Sequence, residues 1–170
     1  MAVRKQILKR KSNRVIILEG PDGGGKTTIA NKYAEDFGGV VIHEGPPPPG
    51  TSNLLTYYSD KLRSACESNM GLVIFDRLYL GEHVYGPVHR DQDRLGKTGV
   101  QKMCNLCIAL GVEQFICLPP YAIARANYER KMKEADDYLK NVDKWHEVYY
   151  RYVGLCVQPF VHCDYTKVSR

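Results

Sequence analysis

The sequence has no apolar run approaching the roughly 18 residues that a bilayer-spanning helix needs. No apolar stretch with a small-residue cleavage site follows its basic N-terminus, so a secretory leader is not expected and the chain reads as cytoplasmic. It lacks an internal repeat and any linker long enough to divide its 170 residues, which points to one domain over 14–170 with an arm at 1–13. Acidic residues are missing from the first 14 positions, where Arg4, Lys5, Lys9, Arg10, Lys11 and Arg14 stand. The net charge of +5 is therefore concentrated in that arm, and the remainder is close to neutral. The arm reads as a solvated tail. Nucleic acid is not an expected partner unless the arm serves an ATP-dependent nucleic-acid module.

Cysteine is present, but not in a pattern that speaks for disulfides or metal. Cys66, Cys104, Cys107, Cys117, Cys156 and Cys163 are scattered, several of them in apolar runs, where a free thiol behaves as a small hydrophobe. Cys104 and Cys107 form a CxxC inside a helical pattern, with no second CxxC to complete it. Zinc ligands favour tight knuckles, so a site completed by Cys156, His162 and Cys163 is not expected.

What is present is an alternation of short apolar runs with helical patterns. "RVIILEG" (14–20), "GVVIHE" (39–44), "GLVIFDR" (71–77), "VEQFICLPP" (112–120) and "QPFVHCDYT" (158–166) read as strands. Between them, 26–38, about 51–69, 98–111 and a long charged region over roughly 121–153 read as helices, and 81–97 as a loop rich in glycine and charge. "GPPPPG" (45–50) is a stiff extended loop, because proline supplies no donor and fixes its own φ. Such alternation predicts an α/β fold, a five-stranded parallel sheet with helices on both faces. The strand C-termini then share one edge, where ligands bind in such folds.

At the first of those ends stands "LEGPDGGGKTT" (18–28). Gly20, Gly25, Lys26 and Thr27 satisfy G-x-x-x-x-G-K-[ST] between a strand and a helix, the context that confirms a phosphate-binding loop. The backbone around Asp22, Gly23 and Gly24 can turn its amides toward phosphate oxygens, and the helix opening at Lys26, Thr27 and Thr28 adds its positive end. Lys26 is expected to reach the β- and γ-phosphates of ATP, and the Thr27 hydroxyl to hold Mg²⁺.

A second group follows the third strand. Asp76 is suited to the Mg²⁺ shell or the attacking oxygen, and Arg77 to an acceptor phosphate, which its planar fork fits. Motor-type strands usually end here in paired acids, so the arginine speaks for an anionic acceptor. After the fourth strand, "YAIARANYERKMKEADDYLK" (121–140) is dense in Arg125, Arg130, Lys131 and Lys133, cations that could close over a triphosphate.

"EGPDGGGKTT", "FDR" and a basic segment after a strand ending "LPP" resemble thymidylate kinases. The loop "HEGPPPPG" and the ending "HCDYT" resemble the short bacteriophage-encoded forms. The resemblance spans about residues 14–166. It implies a P-loop NTPase fold with a helical lid within about 121–140, a homodimer, and transfer of the γ-phosphate of ATP to a deoxynucleoside monophosphate, dTMP or a broader range. It places Lys26 and Thr27 on donor phosphates and Mg²⁺, Asp76 on Mg²⁺ or the acceptor, Arg77 on the monophosphate and Tyr85 near the base. The family keeps its catalytic arginine either in the P-loop or in the lid. With Pro21, Asp22, Gly23 and Gly24 in the loop, the lid form applies, with Arg125 and Arg130 as donors.

Three positions depart from that family. Leu78 replaces a tyrosine or histidine, and Gly86 a glutamine. The thymine-reading arginine expected about one helix before Asp76 is replaced by Thr56, Tyr57 and Tyr58, tyrosines placed to stack on a base of any kind. The alternative reading is a deoxynucleoside kinase, in which a glutamate after the second strand is general base for the 5′-hydroxyl; Glu44 stands there.

Overall fold

The computed structural model describes residues 13–134, 142–157 and 159–167. Their elements are β1 (Arg14–Glu19), α1 (Lys26–Phe37), β2 (Val40–His43), α2 (Leu54–Glu67), β3 (Leu72–Asp76), α3 (Leu80–Arg90), α4 (Gly96–Leu110), β4 (Glu113–Cys117), α5 (Tyr121–Glu134), α6 (Val142–Leu155) and β5 (Val161–Cys163). The strands form one parallel sheet in the order β2-β3-β1-β4-β5. The basic arm at 1–12 and positions 135–140 of the expected lid lie outside the described residues.

Successive strand residues point to opposite faces of a sheet. Val15, Ile17, Val73, Phe75 and Ile116 face a large core built with side chains of α2, α3, α4 and α6. Ile16, Leu18, Leu72, Ile74 and Cys117 face a smaller one closed by Ala30 and Ile29 of α1. Because both faces are covered, the central strands carry no polar alternation, which is why they read as unbroken apolar runs.

The loop expected over 81–97 is instead largely α3. Leu80, Val84 and Val88 recur every four residues and are all buried, so they form a core-facing stripe. Gly81, Gly86 and Pro87 disguised it. Gly86 is required by packing, since a Cβ there would lie 2.4 Å from the Gln92 carbonyl oxygen. The long helical region after β4 is two elements, α5 and α6, and the fifth strand contracts to three residues.

The amides at the start of α3 find their acceptor on β1. Glu19 Oε1 accepts from the amides of Leu78, Tyr79 and Leu80 at 2.9, 3.1 and 3.0 Å. Glu19 is fully buried, and burial raises its carboxyl above the usual carboxylate range, an effect the amides of Leu78 and Leu80 oppose.

Cys104 and Cys107 point inward from α4 beside Met103, so this apolar segment is spent on the core, while Ile108 projects outward. All six cysteines are free, and no group of three potential metal ligands occurs among the described residues. No described helix is long and apolar enough to cross a membrane.

Glu19→Ala strands three amides in a closed interior, each costing roughly 1–3 kcal/mol. Urea denaturation should show a loss of at least about 3 kcal/mol, with Glu19→Gln, which keeps an acceptor, losing clearly less.

Candidate active site

All five strands run the same way, so their C-terminal ends share one edge, and β1 lies between β3 and β4 at the switch point. The loop leaving β1 turns at Gly25, whose left-handed backbone (φ 81°) starts α1 at Lys26. Gly24 N donates to the Pro21 carbonyl at 3.1 Å, and so does Lys26 Nζ at 2.7 Å. Gly23, also left-handed (φ 82°), is pressed against α5: a Cβ would sit 2.3 Å from the Ala124 carbonyl oxygen and 2.9 Å from the Tyr128 amide nitrogen.

Three remote segments hold this loop. Asn127 Nδ2 donates to the Gly23 carbonyl at 3.2 Å and to Tyr165 Oη at 2.9 Å. Trp145 Nε1 donates to the Asp22 carbonyl at 2.8 Å. Tyr85 Oη accepts from the Asp22 amide at 3.0 Å. Asn127 and Trp145 were not among the candidate residues. Their motif-free positions give no local signal, although Trp145 is the only tryptophan in the chain.

Two cations and two acids are packed into the cleft between β1 and β3. Arg77 takes a left-handed backbone (φ 72°), a conformation costing a non-glycine residue about 1 kcal/mol or more. Its Nη2 pairs with Asp22 Oδ1 at 2.5 Å, its guanidinium lies 5.2 Å from the centre of the Tyr85 ring, and its Nε is buried without a partner. Burial opposes the charge on Arg77, but Tyr85 and Asp22 outweigh it and hold the group protonated. Burial likewise opposes the Asp22 charge; Arg77 and Lys26, with Lys131 further off, hold its carboxyl below the usual range. Lys26 is fully buried, and burial together with Arg77 pulls its pKa down to about 8 against the pull of Asp22 and Asp76.

Thr27 Oγ1 donates to Asp76 Oδ2 at 2.5 Å, and His43 Nδ1 lies 3.0 Å from the same oxygen. A hydroxyl and a carboxylate at the head of α1 suit Mg²⁺, which takes one or two protein oxygens and completes its shell with water and phosphate.

Beyond Arg77 opens a cavity of about 390 Å³, within the range of small-molecule sites. Asp22, Glu44, Tyr58, Arg77 and Tyr85 line it, as do Trp145 and Tyr128 from the lid side. The structure thus brings Asp22, Lys26, Thr27, Asp76, Arg77 and Tyr85 together through their hydrogen bonds and charges, with Gly20, Gly23, Gly24 and Gly25 in the loop that leads into α1 and Thr28 exposed on its first turn. Glu44 is at the rim and paired with Lys61 at 2.6 Å. Tyr57 is not brought to this cavity; it lines a second one behind Glu44, with Lys61 5.0 Å from its ring centre.

The cations of α5 divide by helical position. Arg125 Nε pairs with Glu129 at 2.8 Å and its Nη1 donates to Tyr121 Oη at 3.1 Å, away from the loop. Arg130 is exposed. The face of α5 that meets Gly23 carries Ala124, Asn127 and Tyr128, and a further turn along it stands Lys131, whose charge reaches Asp22.

Between about pH 8 and its usual 10.5, Lys26 holds a proton in the unfolded chain that it does not hold in the folded chain, so ligand-free stability contributed by this group rises with pH in that window. Affinity for a phosphate ligand that pairs with the ammonium, with ATP as the probe, should weaken roughly tenfold for each pH unit above about 8. Lys26→Met should abolish both ATP binding and this pH dependence, while raising the melting temperature of the ligand-free protein at pH 7. Calorimetric titration of ATP from pH 7 to 9.5, with thermal melts alongside, measures all three.

No protein-family model matches this sequence, and no curated protein matches it. Among solved structures the chain is similar to the YorR protein of Bacillus subtilis in complex with phosphorylated GDP, at 22% identity over 90% of this chain and 86% of that one, TM-score 0.67. It is also similar to deoxyadenosine kinase from M. mycoides with bound dATP, at 17% identity over 89% and 91% of the two chains, TM-score 0.53. The same kinase with the products dCMP and a flexible dCDP gives 18% identity over 88% and 90%, TM-score 0.56. At such identities the likeness is one of fold: a five-stranded parallel sheet flanked by helices, as in these P-loop proteins.

Proposed function

We propose that this chain is an ATP-dependent nucleotide kinase that passes a phosphoryl group to a deoxynucleoside monophosphate. The observation that carries this reading is Arg77. It is held in a strained backbone conformation at the end of β3, lines the cavity beside the P-loop, and presents a buried Nε with no partner. A second fixed cation next to Lys26 is costly for the ligand-free protein and suits a site where two anions meet.

In this reading the P-loop amides and Lys26 hold the donor phosphates, and Arg77 exchanges Asp22 for the acceptor phosphate, for which a carboxylate is a fair mimic. Mg²⁺, held by Thr27 and Asp76, would neutralise charge between donor phosphates. Tyr85 keeps Arg77 and Asp22 in register through its hydroxyl. Positioning and charge neutralisation then supply most of the rate, as expected for in-line phosphoryl transfer. Lys131 takes the place that Arg125 and Arg130 were expected to fill, because it follows the helix face that contacts the loop. The likeness to thymidylate kinases supports the roles of Arg77 and Tyr85. It does not extend to the thymine-reading arginine, in whose region α2 offers Tyr58 to the cavity.

Glu44 lines the same cavity and keeps a nucleoside-kinase reading open, although Lys61 holds its carboxylate. An ADP-release assay across nucleoside monophosphates and nucleosides separates the two. Arg77→Ala should lower kcat/KM for monophosphates by on the order of a hundredfold or more while changing ATP affinity far less. Glu44→Gln should retain most monophosphate turnover. Turnover of nucleosides alone, abolished in Glu44→Gln, would establish the nucleoside reading instead.

A further inference from the structure

We propose that the Glu82–Arg90 pair on α3 reads the acceptor base, and that the base is guanine. This rests on the reading that an acceptor nucleotide enters the cavity beyond Arg77.

Glu82 is 4% exposed and lines that cavity, as does Arg90. Arg90 Nη2 pairs with Glu82 Oε1 at 2.7 Å, while Glu82 Oε2 is buried without a hydrogen-bond partner. A closed-off carboxylate oxygen with no donor asks for one, and structures rarely leave such an oxygen unmet. The two residues stand eight positions apart, about 12 Å along the helix axis, and the arginine leans back toward the helix N-terminus to reach its partner. Between them Tyr85 and His89 are stacked, with centroids 5.8 Å apart and rings at 19°, on the same cavity wall. Burial, with Lys144 and Arg90, lowers the pKa of His89, so a neutral ring joins this stack. One face of α3 thus carries the hydroxyl that steadies Arg77, an aromatic pair, and a hydrogen-bonding edge.

That edge has a definite order. Arg90 offers N–H donors, and Glu82 offers Oε1 and then Oε2 as acceptors. The complementary base edge is acceptor, donor, donor: O6, N1–H and the N2 amino group of guanine. Thymine presents acceptor, donor, acceptor, so its second carbonyl would face Oε2. Adenine and cytosine each bring one amino group and an acceptor ring nitrogen, leaving Oε2 without its own donor. A buried polar group left unpaired is a strong basis for rejection, stronger than any difference in base size.

The test is a binding ladder on the full chain, read by fluorescence of Trp145, which also lines the cavity. The probes are dGMP, dIMP, dAMP, dCMP, dTMP and deoxyguanosine, with ADP release measured in parallel. We expect dGMP to bind at least about 30-fold tighter than dAMP, dCMP or dTMP, and at least about fivefold tighter than dIMP, which lacks only the N2 amino group. Glu82→Gln turns an amide donor toward guanine's donors and should cost dGMP at least about 30-fold while moving dTMP less than about threefold. Equal binding of dIMP and dGMP, or dTMP or dCMP bound as tightly as dGMP, overturns the proposal. The dGMP-to-dIMP ratio in the unmodified protein decides the matter even if Glu82→Gln does not fold. Guanine preference without monophosphate turnover would remove the kinase reading and keep the base assignment; turnover without guanine preference would do the reverse.

Discussion

The acceptor side of the cleft depends on one buried oxygen. Glu19 Oε1 gathers the amides of Leu78, Tyr79 and Leu80, and in doing so it binds the end of β1 to the start of α3. The chain must turn sharply between Asp76 and Leu78 to bring those amides round, and Arg77 takes the left-handed conformation at that corner. The same turn places Asp76 opposite Thr27 and sends Arg77 across to Asp22. A neutral side chain at position 19 with no acceptor would leave the corner unsupported, so the position of Arg77 is set from β1 rather than from its own strand.

The second constraint is charge. Lys26 and Arg77 repel each other in a buried cleft, and their compensation is local: Asp22 on Arg77, a main-chain carbonyl on Lys26, Asp76 nearby. Burial works against the charges of Lys26, Arg77 and Asp22, and prevails at Lys26. Such an arrangement is poorly explained as a device for stability, because apolar residues would fill the same volume without desolvation cost. It is well explained as a site prepared for polyanions, in which strain and uncompensated field are kept where ligand charge would relieve them.

Much of this was legible in the sequence, and the reasons are specific. The strands were visible because helices cover both faces of the sheet, and the P-loop because its spacing is tied to one backbone path. Asp76 and Arg77 followed from parallel topology alone, which brings every strand exit to one edge. α3 was hidden by two glycines and a proline, though its stripe of Leu80, Val84 and Val88 was there to be counted. The cations of α5 are harder to rank for a related reason. Their density showed that a basic helix lay near the loop, but which of them meets it depends on rotation of α5. That rotation is set by the contact of Ala124 and Tyr128 with Gly23, a tertiary fact with no local trace. Asn127, Trp145 and Tyr165 belong to the same class, since each acts on a loop more than a hundred residues away or across the sheet.

Along α3, the residues that meet Arg77 and Asp22 are separate from the Glu82–Arg90 pair. The Tyr85 hydroxyl meets the Asp22 amide and the Arg77 guanidinium, which fix its position. Glu82 lies nearly one turn toward the N-terminus and Arg90 more than one turn toward the C-terminus, and neither touches the P-loop in any contact seen here among the described residues. On the proposed reading, substitutions at those two positions would change the donors and acceptors offered to a base while Asp22, Arg77 and Tyr85 keep their geometry. Gly86 contributes to that independence. Lacking a Cβ, it lets the 91–92 turn close against the helix, which holds Arg90 at the end of α3 rather than releasing it into the following loop. On the proposed reading, base recognition and phosphate gripping fall to separable residues of one rigid helix, and a shared fold at low sequence identity says little about which base is read.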